Sequence, residues 1–267
     1  MNLKRTAAIF IRQFYLMMGS PVRIMPLFAW VAIDIVLWGL FTRYLNTVAS
    51  AGFNFVPALL GAVLLWDFLV RVMQGLTTAF FEDVWSRNFL NIFASPLLMP
   101  EYVCGLVLSS MVTSALGLIA MLALATTVFG LSFFVYGLPL VAFLLALFLF
   151  GVSLGIFGCA MVLRFGPASE WLIWPIPALL SPLACVFYPL SSLPLWMQYA
   201  ARLLPPSWVF EAMRSVVSGR AASVSAMLWG GGLALIYVLL AGWLFVTIYR
   251  HAVRSGLIAR YSAESVS

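Results

Sequence analysis

The chain reads as an all-α integral membrane protein: six transmembrane helices, an N-terminal interfacial amphipathic helix, and two short re-entrant helices between spans five and six. Three observations predict this. Hydrophobic residues fill 64% of the 267 positions and charged residues only 8%, against roughly half apolar and a quarter charged in a soluble domain. Mean hydropathy is +1.10. The charges lie mostly between long apolar runs. A soluble surface cannot be built from so few charges, so lipid has to cover it.

Residues 1–22 come first. Lys4 and Arg5 precede an apolar stretch as in a signal peptide, but Arg12 and Gln13 interrupt it and no clean small-residue cleavage site follows. At 100° per residue, Leu3, Ala7, Phe10, Ile11, Phe14, Met17 and Met18 share one face; Asn2, Lys4, Arg5, Thr6, Arg12, Gln13 and Ser20 share the other. The pattern predicts an amphipathic helix lying in the interface with its cationic side toward the headgroups. Gly19-Ser20-Pro21 ends it.

Crossing the hydrocarbon core takes about 20 apolar residues. Six runs qualify, over 24–42, 53–81, 103–129, 138–163, 171–190 and 227–249. With an even number of spans both termini share a side. Nine Lys and Arg fall on that side, among them Arg87, Arg164 and Arg250, and four fall opposite (Arg43, Arg202, Arg214 and Arg220). Cationic residues favour the cytoplasmic face, so both termini of this multi-pass protein are expected in the cytoplasm. The net charge of +6 is thus a topology signal. No basic stripe interleaved with stacking aromatics points to nucleic acid.

Several activities are excluded. Lys4 is the sole lysine and no glycine-rich loop precedes it, so the chain has no P-loop for ATP. His251 is the sole histidine, and Cys104, Cys159 and Cys185 lie in or beside apolar runs without paired spacing. Neither a metal site, a haem, a disulfide framework nor a Ser/His/Asp set can be assembled from them. No catalytic residue and no cofactor of its own are expected.

Two polar segments carry the functional signal. The first, 81–102, reads FEDVWSRNFLNIFASPLLMPEY. It is too apolar for a linker and too charged for a span. The expected element is a short helix across the cytoplasmic mouth, with Glu82 and Asp83 at its N-terminal end where the dipole favours acids. Arg87 stands at i+4 from Asp83, and Ser95-Pro96 stops the helix. The second, 188–217, reads YPLSSLPLWMQYAARLLPPSWVFEAMRSVV. Two short helices, 194–204 and 207–217, are expected to dip into the outer leaflet. Tyr188, Trp196, Tyr199 and Trp208 suit an interfacial aromatic belt or stacking surfaces for a flat ligand. Glu211 and Arg214 at i,i+3 can pair locally.

Glu82-Asp83, then Arg87 and Asn88, then Ser95-Pro96-Leu97 and Glu101, resemble the coupling-helix region of ABC-2 type exporter permeases. The 188–217 segment resembles that family's connection between spans five and six. The whole chain has the family's layout: one domain over 1–267, with the interfacial helix at 1–22, a coupling loop at 82–101 and a periplasmic re-entrant segment at 191–220. The resemblance implies a permease of the bacterial inner membrane that pairs with a second copy or a paralogue and with a separate ABC-type ATP-binding subunit. ATP and Mg would be bound on that partner. Glu82, Asp83, Arg87 and Glu101 would then couple to the ATPase, and an amphipathic or glycan-type cargo would leave the cytoplasm.

Charges inside the spans are the remaining signal. Asp34 lies midway along the first span, and Asp67 and Arg71 lie at i,i+4 in the second. Each costs roughly 2.5–3.5 kcal/mol at mid-bilayer on insertion scales, so such residues face a partner or a wet cavity. A structural ion pair and a pathway lining both fit. Pro175, Pro177, Pro182 and Pro189 break the fifth span, whose freed carbonyls need protein or water. Gly151, Gly155 and Gly158 mark a close-packing face on the fourth. The rival from another class is an ion-gradient-driven secondary transporter, which usually has an inverted repeat; the sequence shows none.

Overall fold

The computed structural model describes residues 2–48, 56–86, 91–92 and 95–256. Every regular element among them is helical. The interfacial helix is α1, Leu3–Met18, with the Asn2 side chain accepting from Lys4 N (3.0 Å) as N-cap. Pro21 opens α2, Pro21–Val48, where its missing N–H costs nothing. A single π-helical turn, Val56–Leu60, leads into α3, Gly61–Trp85. Tyr136 Oη donates to Pro57 O in that turn (2.5 Å). Helix α4, Met99–Phe129, starts where Glu101 Oε2 accepts from Leu98 N (3.1 Å) and ends at Gly130, φ 68°, a left-handed position that suits glycine. Helix α5 is Pro139–Phe165.

Among the described residues, five helical stretches are long and apolar enough to cross a membrane: Phe28–Val48, Val56–Trp85, Met99–Phe129, Pro139–Phe165 and Val224–Arg254. The last is α10, whose N-cap Ser223 accepts from Ala226 N. Where the fifth span is expected, at 171–190, there is no continuous helix. Instead α6, Glu170–Ile173, and α7, Ile176–Leu180, are followed by turns. Pro175 separates the two helices and Pro177 takes an early position of α7, where proline is tolerated. Helical turns persist to Ala184, whose N–H reaches Leu180 O (2.8 Å), and stop at Cys185, φ 56°. Then come α8, Leu195–Arg202, and α9, Pro205–Val217, close to the two short helices expected there.

The centre of the bundle is α3 against α5. Leu69, Val72, Met73, Leu76 and Phe80 meet Phe143, Leu147, Phe150 and Cys159 in one buried cluster. Helix α10 packs on α5 and α9, while α4 packs on the other side of α3 and carries α1 and α2. The outermost helices, α2 and α10, keep apolar faces exposed, Trp30, Leu37 and Leu40 on one and Leu239, Leu240 and Trp243 on the other. Lipid accounts for these faces.

The glycines of α5 do pack. A Cβ on Gly151 would stand 2.8 Å from Val72 Cβ and 2.9 Å from Leu69 O; one on Gly155 would meet Leu76, and one on Gly158 would meet Thr77. Gly151→Val should therefore force α3 and α5 apart at a cost of about 1–3 kcal/mol. Thermal unfolding in detergent should show a clear loss for this variant, and none for Gly242→Ala, whose Cβ meets nothing within 4 Å. Equal stability of the two would show that the helices do not depend on this contact.

Candidate functional site

Helix α3 carries Asp67, Arg71, Gln74, Thr78 and Glu82 at intervals of four, three, four and four, a single helical stripe. The stripe faces a cavity of about 680 Å³. Helix α1 walls it with Phe10, Gln13, Phe14 and Met17, and α2 contributes Trp30 and Asp34. From α4 come Ser109, Thr113 and Ser114, and Trp174 closes one side. Among the described residues, three carboxyl groups, one guanidinium and a set of amides and hydroxyls thus converge in a bundle otherwise dressed for lipid.

The intramembrane charges predicted from sequence all belong here. Asp34, Asp67 and Arg71 lie close enough to act electrostatically on one another. The Arg71 chain lies over Gly117 of α4, where a Cβ would stand 3.2 Å from its Cδ. On the same face of α4, Ser110 Oγ donates to Val72 O (2.7 Å). Asp67 Oδ2, Gln13 Nε2 and Ser114 Oγ are buried and have no hydrogen-bond partner among the described residues.

The residues expected at the coupling loop are placed differently. Glu82 and Asp83 do not open a loop helix. They lie in the last turn of α3, the end where the dipole disfavours an acid. Asp83 is 1% exposed and its partner is Arg12 of α1. Arg12 Nη1 donates to Asp83 Oδ2 (2.9 Å) and Nη2 to Oδ1, while Tyr102 Oη of α4 donates to Oδ2 (2.7 Å). These bonds raise the Arg12 pKa above its ordinary value. Glu101 is likewise buried, accepting from Asn2 N (2.6 Å) and lying 3.7 Å from Arg5. Glu82 lines the cavity, and Arg87 lies outside the described residues.

Part of the face of α1 expected toward the headgroups therefore turns inward, while Phe10, Phe14 and Met17 of its apolar face line the cavity. The face that packs on the bundle is Thr6, Ile9, Arg12 and Gln13, and the apolar residues Leu3, Ile11 and Met18 are exposed. A Cβ on Gly105 of α4 would stand 2.6 Å from Ile9 Cβ, so glycine is what lets α1 lie close.

At the other end of α3, Phe210 of α9 lies against Trp66, ring centroids 6.3 Å apart. The outer aromatics do not share a site. Tyr188 Oη donates to Pro182 O (2.6 Å). Trp208 donates to Arg202 O (2.9 Å) and stacks on Trp229 of α10. Trp196 and Tyr199 are exposed on α8. Glu211 and Arg214 do pair (2.8 Å), and they also hold the broken segment: Arg214 Nη1 donates to Cys185 O (2.8 Å), and Glu211 Oε1 accepts from Leu190 N (2.6 Å).

Residues 4–217 match the family described as ABC-2 type transporter. The chain belongs to this family. The match spans α1 to α9, so the cavity, the α1 tie and the broken segment are all inside it. No curated protein matches the chain. As an ABC-2 type protein it is a membrane component of a transporter.

Sequence reasoning missed Arg12 as the partner of Asp83, and it missed Gln13, Gln74, Thr78 and the hydroxyls of α4. A signal was present in the five-residue stripe on α3 and in Ser109, Ser110, Thr113 and Ser114 on an otherwise apolar span.

Arg12→Ala would leave the Asp83 carboxylate buried beside Tyr102 alone, at a cost of about 3 kcal/mol. Arg12→Ala combined with Asp83→Ala should recover much of that loss, because no unpaired charge remains. A double-mutant cycle on detergent-solubilised protein measures the coupling. Additive losses would mean that the pair does not hold α1.

Proposed function

We propose that this chain is the membrane-spanning permease subunit of an ATP-driven exporter. It forms the substrate pathway as a dimer and works with separate ATP-binding subunits that hold ATP and Mg. The observation that carries this reading is the polar cavity beside α3, placed inside a lipid-dressed bundle of an ABC-2 type protein. Its size is that of a small-molecule site. The absence of a P-loop lysine agrees with hydrolysis on a partner.

Geometry supports six crossings with both termini in the cytoplasm. Helix α1 packs at Asp83 near the C-terminal end of α3, and α9 packs at Trp66 toward its N-terminal end, about 26 Å away at 1.5 Å per residue. The broken segment runs between the same two ends, from Trp174 in the cavity wall beside α1 to Cys185 beside Arg214. The nine-to-four charge distribution then puts the α1 end inside. Leu179 and Pro182 of the broken segment are exposed. Irregular backbone at membrane depth needs protein or water beside it, which supports a second copy or the pathway itself at this edge. The loop after α3 is the docking site for the ATP-binding subunit. Asp83 and Glu101 hold its base to α1, and Arg87 is the residue assigned to the contact with the partner on its charge and place in the sequence.

Inverted vesicles carrying the chain and its ATP-binding subunit should load cargo only with hydrolysable ATP, and a protonophore should not stop them. Loading that needs a proton gradient and ignores ATP would replace this reading with a secondary transporter built on Asp34 and Asp67. In the same vesicles Arg87→Glu should reduce ATP-driven export by about tenfold, with the permease still inserted, since a reversed charge at a docking surface costs on the order of 1–2 kcal/mol. Normal export by Arg87→Glu with the partner still bound would remove Arg87 from the coupling.

A further inference from the structure

We infer that the cavity beside α3 is a binding site for an organic ammonium ion carried on an apolar, partly aromatic body. This rests on the export reading for its place in a transport cycle, but the site is argued from its own walls. Among the described lining residues, carboxyl groups outnumber the guanidinium three to one: Asp34, Asp67 and Glu82 against Arg71. In a low-dielectric pocket that imbalance favours a cation and opposes a phosphate or carboxylate cargo. Ammonium ions bind over aromatic faces as well as beside carboxylates, and Trp30 and Trp174 are both in the lining, with Phe10 and Phe14 across from them on α1. Two polar groups complete the site. Gln13 is 8% exposed and Ser114 1% exposed, and both line the cavity with Nε2 and Oγ lacking a hydrogen-bond partner among the described residues. Orphaned buried donors are costly, and here they are aimed where a ligand oxygen can meet them. A volume of about 680 Å³ admits a drug-sized molecule and not a folded glycan chain.

Entry fits the same chemistry. Phe14 and Trp30 are part exposed, 40% and 61%, so the rim between α1 and α2 is apolar and faces lipid. An amphipathic cation partitions into the membrane interface with its ammonium group near the headgroups, at the level of α1.

The test uses the full chain in nanodiscs without the ATP-binding subunit, so it can fail independently of the export reading. The probe is the cationic dye rhodamine 6G, with anionic fluorescein as its counterpart, read by anisotropy against empty discs. Saturable binding of rhodamine 6G and none of fluorescein is expected. Asp34→Asn with Asp67→Asn should weaken it about tenfold by removing the facing charge. Should that variant misfold, Trp30→Ala, at an exposed position, should still weaken binding about threefold through loss of a ring. Discs made with and without phosphatidylethanolamine distinguish the source of the ammonium. Competition by that lipid identifies a membrane aminophospholipid as occupant, and no competition identifies a free amine. Binding of fluorescein as tight as that of rhodamine 6G, or cation binding unchanged in both variants, would overturn the site. ATP-dependent export failing while cation binding persists would instead overturn the permease reading alone.

Discussion

Helix α3 has to satisfy two opposed demands. One face is buried through Leu69, Val72, Met73, Leu76 and Phe80 against α5. The other carries Asp67, Arg71, Gln74 and Thr78 through the bilayer. A charged residue turned to hydrocarbon costs roughly 2.5–3.5 kcal/mol on insertion scales, so this face cannot be left to lipid. Helices α1, α2 and α4 enclose it. The glycines follow from that enclosure. Gly151, Gly155 and Gly158 let α5 approach the apolar face, Gly117 leaves room for the Arg71 chain, and Gly105 lets α1 lie against α4.

The cytoplasm-facing end expected for α3 raises a second problem of charge. Its last turn carries Asp83, at the end of a helix whose own carbonyls already concentrate negative potential. Burial makes this worse unless a cation is brought in. Arg12 supplies it with two hydrogen bonds, and Tyr102 adds a third. The same bonds fix α1 to α3 and α4, and the Glu101 contacts with Asn2 and Arg5 fix its first turn. A helix that could simply float in the interface is therefore part of the bundle. It also walls the cavity through Phe10, Gln13, Phe14 and Met17, so the tie and the cavity cannot move independently.

What was legible in the sequence follows from the range of the forces involved. Apolar runs and helix-ending residues act locally, and they located α1, the five long helices and the two short helices after the broken segment. Proline chemistry is local too, and it located the break at 171–190. Partners across the fold were not legible. Glu82 and Asp83 look like the start of a loop helix because acids favour helix N-termini; which helix they terminate depends on where α3 stops. The polar face of α1 looks as though it should meet headgroups, since nothing local reveals that Asp83 waits beneath Arg12. The stripe on α3 lay in plain spacing, but the residues facing it from α1 and α4 are visible only once those helices are packed.

The two ends of α3 are held by ties of different strength. At one, Arg12 and Asp83 join separate elements, and the carboxylate is 1% exposed. Breaking a buried pair leaves a charge that water does not reach, at a cost of about 3–5 kcal/mol. At the other, Glu211 and Arg214 stand on one helix, and the carboxylate side chain is 38% exposed. A pair of that kind contributes about 1 kcal/mol or less. Its added bonds to Cys185 O and Leu190 N hold a segment that four prolines keep from forming one continuous helix. The tie at the α1 end therefore costs more to break than the pair that holds the proline-rich segment at the α9 end.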